Sequence, residues 1–203
     1  NAMADGQIKP IDLSGTWQFA LDRQQTIRST DVLTETVELP GTTDTNKKGD
    51  EVGKRDENTH LSRRYSYKGR AWYQREVEIP VDWKDQHVYL FLERTKPSEV
   101  YIDGKLVGNS NDISTPQVFD LGAMHTPGQH KLAIMVDNGS GVPEQLYASS
   151  HAYTEDTQTN WNGIIGRIEL SNKPSVIDYN QNLHPNFKDF HIEGQHFYAN
   201  GHK

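Results

Sequence analysis

Trp161 stands between Gln158-Thr159-Asn160 and Asn162-Gly163, an indole bordered by carboxamides and a hydroxyl. Sugar rings present apolar C–H faces fringed by hydroxyls, so an aromatic plane with amides at its edge has the chemistry of a carbohydrate-contacting surface. The same residues suit a capped entry into a β-strand, and the sequence supports both readings equally. Trp72, Tyr73, Trp83, Tyr101 and Tyr153 are further stacking candidates. Of these, Trp72, Tyr73 and Tyr101 fall inside apolar alternations and are expected to pack rather than bind. Cleaving a glycosidic bond takes two carboxylates held at a set separation. The acidic doublets Asp50-Glu51 and Glu155-Asp156 are chain neighbours, which fixes no such separation, and they read as solvated loops.

Other chemistries find little to work with. The 203 residues include no cysteine, which removes disulfides, thiolate zinc sites and cysteine nucleophiles together. Nine histidines form no H-E-x-x-H and no close ligand group, so structural or solvated roles are expected for them, and neither a metal nor another cofactor is predicted. His125 and His130 flank a turn at Pro127-Gly128, and His191 and His196 flank Gly194. Gly163 and Gly166 read as two glycines beside a strand, not a phosphate loop, and no G-x-S-x-G elbow offers a serine nucleophile. Asn138-Gly139-Ser140 matches a glycosylation sequon, a pattern frequent by chance. With 21 Lys+Arg against 28 Asp+Glu, the formal net charge of -7 repels phosphate backbones, and nucleic acid is excluded as a partner. No run approaches the ~20 apolar residues of a membrane-spanning helix, so no membrane partner is expected.

The elements that must position these residues are strands. Trp17, Phe19 and Leu21 alternate with Gln18 and Ala20; the stretch from Ala71 to Ile79 alternates and stops at Pro80; Val88, Leu90 and Leu92 share one face while Tyr89 and Phe91 take the other. Val100 and Ile102 run into Asp103-Gly104, the strongest hairpin signal in the chain, and Val107 lies on the return strand. Leu132, Ile134 and Val136 alternate again, and Ile165, Ile168 and Leu170 mark a last strand. Helical periodicity is absent apart from a short turn expected near Asp82-Trp83. The pattern predicts an all-β antiparallel sandwich. Two polar stretches, Thr42 to Tyr67 and Asn138 to Asn160, read as long loops of the kind that carry function on rigid scaffolds. The terminal stretch from Phe187 reads as a fresh hairpin whose turn is Asn200-Gly201, which leaves its second strand beyond Lys203.

An ordered set of motifs then resembles the N-terminal sugar-binding domain of family 2 glycoside hydrolases, the group of β-galactosidases, β-glucuronidases and β-mannosidases. The set runs Leu13-Ser14-Gly15-Thr16-Trp17-Gln18-Phe19, Leu39-Pro40-Gly41-Thr42, Ala71-Trp72-Tyr73-Gln74-Arg75, Leu92-Glu93-Arg94 and Val100-Tyr101-Ile102-Asp103-Gly104. It continues through Ser114-Thr115-Pro116, Phe119-Asp120 and Val136-Asp137-Asn138 to Trp161-Asn162-Gly163-Ile164-Ile165-Gly166-Arg167. The resemblance implies a jelly-roll β-sandwich of the galactose-binding-domain-like type over residues 11–174, with a short C-terminal extension. Residues 1–10 are then a leader, and residues 175–203 a linker and the lead-in to a catalytic (β/α)₈ barrel. The family's catalytic glutamates lie in that barrel, so no residue here is expected to be catalytic. In the family's β-galactosidases an Asp two positions before the last motif's Trp reaches the substrate. Thr159 stands there instead, which argues against an identical galactoside contact and leaves Asp156 and Asn160 beside Trp161 as substrate-binding candidates. The implied partners are carbohydrate and the barrel of the same protein, with a structural or homo-oligomer interface role as the alternative. The compartment is left open, an exported periplasmic parent with its signal peptide removed fitting as well as a cytosolic one.

Overall fold

The computed structural model describes residues 9–55, 61–139, 160–174, 191–193 and 196–198. One sheet contains β1 (Ile11–Asp12), β4 (Gly41–Thr42), β8 (His87–Thr95), β11 (Gln117–Ala123) and β13 (Gly163–Ser171), in the order β1-β13-β8-β11 with β4 also paired to β13. The second contains β2 (Gly15–Asp22), β3 (Glu35–Leu39), β7 (Arg70–Ile79), β9 (Ser98–Ile102), β10 (Lys105–Ser110) and β12 (Gly128–Asp137), in the order β10-β9-β12-β7-β2-β3. Every pairing is antiparallel. Among the described residues the sole helical element is the 3₁₀ turn Val81–Trp83, where the short turn was expected. None of those residues forms a helix long and apolar enough to cross a membrane.

The period-2 alternation of the sequence becomes the layer between the sheets. Trp17 and Phe19 of β2, Tyr73, Val77 and Ile79 of β7, and Leu132, Ile134 and Val136 of β12 meet Val88, Leu90 and Leu92 of β8, Phe119 and Leu121 of β11, and Ile164, Ile168 and Leu170 of β13. Each large apolar side chain in such a layer contributes roughly 1.5–3 kcal/mol relative to exposure. Trp17 also donates its indole N–H to the Leu13 carbonyl at 2.8 Å, so burying it leaves no orphaned donor. Trp72, one residue out of phase with Tyr73, lies on the outer face of the second sheet instead. There it packs with Leu33, Ala133 and Met135 in a second cluster, under the segment from Arg23 to Thr34. Asp22 ties that segment down by accepting hydrogen bonds from the Thr26 and Ile27 amides and from the Trp72 indole. Gln74 adds bonds to the Ser29 and Asp31 carbonyls.

One expectation changes. The stretch Thr42 to Tyr67 is not all loop: β5 (Asp50–Arg55) and β6 (Leu61–Ser66) pair as an antiparallel hairpin. Its sequence is polar on both faces, so backbone pairing forms it without any apolar alternation. At the C-terminus β14 (His191–Glu193) pairs with β15 (His196–Tyr198), with His191 opposite Tyr198. The turn of this hairpin therefore falls between Glu193 and His196, and the Asn200-Gly201 turn that the sequence suggests lies outside the described residues.

The Asp103-Gly104 turn joins β9 to β10 as expected, with both residues at positive φ, 48° and 83°, the signature of a type I′ hairpin. Asp103 also accepts hydrogen bonds from the Lys131 amide and from His130, whose other ring nitrogen meets the Thr126 carbonyl. Burial opposes charging His130, but the bonds to Asp103 and to Thr126 outweigh it and hold its pKa above the ordinary value. A raised folded-state pKa adds stability that is complete below the ordinary histidine pKa of about 6.5 and is lost as pH rises through the raised value. The expected result is that His130→Gln lowers the melting temperature more at pH 5.5 than at pH 8.5, read by circular dichroism. Equal losses at both pH values would contradict it.

Candidate functional site

One end of the sandwich is braced by amides. Asn162, fully buried at the entrance to β13, accepts a hydrogen bond from the Tyr73 hydroxyl at 2.8 Å. Its Nδ2 faces the Val136 carbonyl at 2.9 Å, the Gly69 carbonyl at 3.0 Å and Asn138 Oδ1 at 3.2 Å. Its own carbonyl receives the Thr43 amide at 2.8 Å. Asn138 continues the chain by accepting from the Gly69 amide and donating to the Tyr67 carbonyl at 2.9 Å and to Asn160 Oδ1 at 3.3 Å. Tyr73 stays a neutral donor because burial pushes its phenol far up. Burial likewise pushes Tyr67 up to about 12, against the pull of Arg23.

The result is a line from the core to the surface, Tyr73 to Asn162 to Asn138 to Asn160, that fixes the last residue at a half-buried rim. Trp161, also half-buried, carries the Lys96 ammonium 4.9 Å from its ring centroid. Asn160 and Trp161 thus sit together at the edge, as the sequence placed them, while the other two candidates, Asp156 and Thr159, lie outside the described residues. The sequence marks Asn162 only as a flank of Trp161 and Asn138 only within a sequon and a motif, and neither signals this buried line. The role of Gly163 had also been missed: its Cβ position is occupied by the backbone of β4, with the Gly41 carbonyl oxygen 2.3 Å away.

Beside this rim a groove of about 620 Å³ runs over the outer face of the second sheet. Strand register builds its floor from two rows. In one, Asn109 stands opposite Glu99 and Glu99 opposite Met135. In the other, Asp137 stands opposite Arg70, with the Asp137 amide bonded to the Pro97 carbonyl. Arg70 Nε lies 3.6 Å from the Asp137 carboxylate. Glu99 is held by the Tyr101 hydroxyl at 2.6 Å, and burial together with that bond keeps Tyr101 protonated. Asn111, Ile113 and Lys96 form one wall, and Asn138 and Asn160 form the other. Two cations and two carboxylates line it, so the groove favours no net charge in its occupant. Among the described residues no group of three or more His, Asp or Glu side chains could hold a metal ion.

Two antiparallel sheets packed over one apolar layer define a domain of the β-sandwich class. The sequence model of the "Glycosyl hydrolases family 2, sugar binding domain" matches residues 11–174, and the chain belongs to that family. It is similar to a β-galactosidase of Priestia megaterium, 26% identical over 117 residues that make up 56% of this chain and 10% of that protein. A β-galactosidase of Aeromonas hydrophila is 31% identical over 106 residues, 50% of this chain and 9% of that protein. The chain therefore spans about a tenth of the length of these relatives. Among solved structures, a β-glucuronidase of Faecalibacterium prausnitzii matches with a TM-score of 0.55 at 20% identity, over 80% of this chain and 31% of that one. A β-glucuronidase of Bacteroides uniformis matches with a TM-score of 0.54 at 23% identity, over 80% and 17%. These structural likenesses establish the jelly-roll sandwich fold.

Proposed function

We propose that the domain is the non-catalytic carbohydrate-binding part of a glycoside hydrolase acting on O-glycosyl bonds, and that its Asn160–Trp161 rim lines the substrate site of a catalytic barrel in the same protein. In this reading residues 11–174 are the binding module and residues 175–203 lead into the barrel. The observation that carries it is the amide line from Tyr73 to Asn160, which sets a carboxamide and an indole at a fixed edge. A sugar hydroxyl exchanges hydrogen bonds with such a carboxamide, and a ring face covers the exposed part of the indole. Because the sandwich holds both groups in advance, little ordering is left to occur on binding, and orientation of the substrate follows.

The test is kinetic, on the chain joined to its catalytic domain. Replacing Asn160 by Ala removes one hydrogen-bond partner of about 1–1.5 kcal/mol and is expected to raise KM about tenfold, with little change in melting temperature. Unchanged KM in both Asn160→Ala and Trp161→Ala would leave the domain a purely structural or oligomer-interface role.

A further inference from the structure

The groove beside the rim has a composition that the rim contact alone does not require. Its carboxamides Asn109 and Asn111 are exposed, and among the described residues no group hydrogen-bonds either side chain. Ile113 is 52% exposed beside them, an apolar surface in an otherwise polar setting. Asn138 and Asn160 close the opposite side, so groove and rim share a residue and form one continuous surface. A comparable groove of about 730 Å³ over β2 and β7 lies apart from the rim, sharing none of Asn138, Asn160 and Trp161. There Thr16 is bonded to Glu38, Gln74 to Ser29 and Asp31, and Arg75 to the Leu13 carbonyl, so several of its polar groups are already engaged.

From the continuity of groove and rim and the two unengaged carboxamides, and resting on the reading that the Asn160–Trp161 rim touches sugar, we infer that the groove is an extended saccharide subsite and that the substrates are oligosaccharides. Unengaged amides offer both donors and acceptors to hydroxyls, and Ile113 offers an apolar patch to a ring's C–H face. The volume of about 620 Å³ falls within the roughly 300–1,000 Å³ typical of small-ligand sites. A polyanionic chain finds no preference here, because Arg70 is matched by Asp137 and the Glu99 carboxylate faces the same space. The units next to the terminal sugar would therefore lie along Asn109 and Asn111 while the terminal sugar meets Asn160.

The experiment is an NMR titration of the 203-residue chain with methyl glycosides of galactose, glucuronic acid and mannose, and with β-linked tetrasaccharides ending in each sugar. The expected result is a tetrasaccharide Kd about tenfold or more below that of the matching monosaccharide. The double variant Asn109→Ala/Asn111→Ala should bring the two together while leaving monosaccharide affinity unchanged. Both positions are exposed, so a native melting temperature is expected and would show that the variant folds. Equal affinities in the wild-type chain, lowered alike by Asn160→Ala, would overturn the subsite and leave the rim contact standing. Absence of saturable binding by any ligand at high concentration would overturn both.

Discussion

Asn162→Asp is expected to lower the melting temperature by about 10 °C or more at pH 7. The substitution changes one atom of a fully buried side chain, but that atom is a donor facing the Val136 and Gly69 carbonyls at 2.9 and 3.0 Å. A carboxylate there donates nothing, sets its oxygen against two carbonyl oxygens, and carries a charge with no cation among the partners of Asn162. Leaving such groups unpaired costs on the order of 3–5 kcal/mol, a large share of the ~5–15 kcal/mol that holds a domain together. At ~2–4 °C per kcal/mol for a chain of this size, the shift is readily seen by calorimetry. The sign with pH is specific. Burial raises the folded-state pKa of the introduced carboxyl, so the penalty grows as pH rises above the ordinary carboxylate range and shrinks at pH 4–5, where the protonated acid can donate one bond. A loss below about 3 °C at pH 7, or one that deepens toward low pH, would mean that the amide line does not brace this end.

Gly163→Ala is expected to cost about 2–4 kcal/mol, or roughly 5–15 °C. Gly163 has φ of +153°, and a Cβ there would lie 2.3 Å from the Gly41 carbonyl oxygen and 2.7 Å from the Thr42 Cα. Both are backbone atoms of β4, whose Thr42 pairs with Gly163 itself, so relief requires moving a paired strand and not merely a flexible side chain. Backbone shifts of that kind cost ~1–3 kcal/mol, and a non-glycine residue at positive φ adds about 1–2 kcal/mol. Because the next amide along, that of Thr43, bonds the Asn162 carbonyl, the displacement is expected to loosen the rim as well. Hydrogen exchange should show faster exchange at Thr43 and Gly69 in this variant; native exchange at both together with a native melting temperature would refute the packing argument.

These two positions mark where sequence reading stopped. The strands were legible because alternation at Trp17 and Phe19, at Val88 to Leu92 and at Leu132 to Val136 is a local property that burial on one sheet face imposes. The type I′ turn at Asp103-Gly104 was legible for a similar reason, since two residues carry its whole conformational requirement. Asn160 and Trp161 were legible as a pair of residue types, and the structure places both at one edge. Asn162 was not, because its partners Gly69 and Val136 lie 93 and 26 positions away and only the fold brings them together. Gly163 was opaque because its constraint comes from Gly41, on another strand. The groove was opaque because its floor is a product of register among β7, β9, β10 and β12, in which Asn109, Glu99 and Met135 line up across strands.

The proposed role turns on whether a carboxamide at the sandwich rim meets the sugar being cleaved. The most direct measurement is steady-state kinetics of the chain joined to its catalytic domain, wild type against Asn160→Ala. Retention of the wild-type melting temperature serves as the check on folding. The account predicts KM raised about tenfold, with kcat lowered only where the lost contact also orients the bond. Identical KM and kcat in a fully folded variant would contradict it.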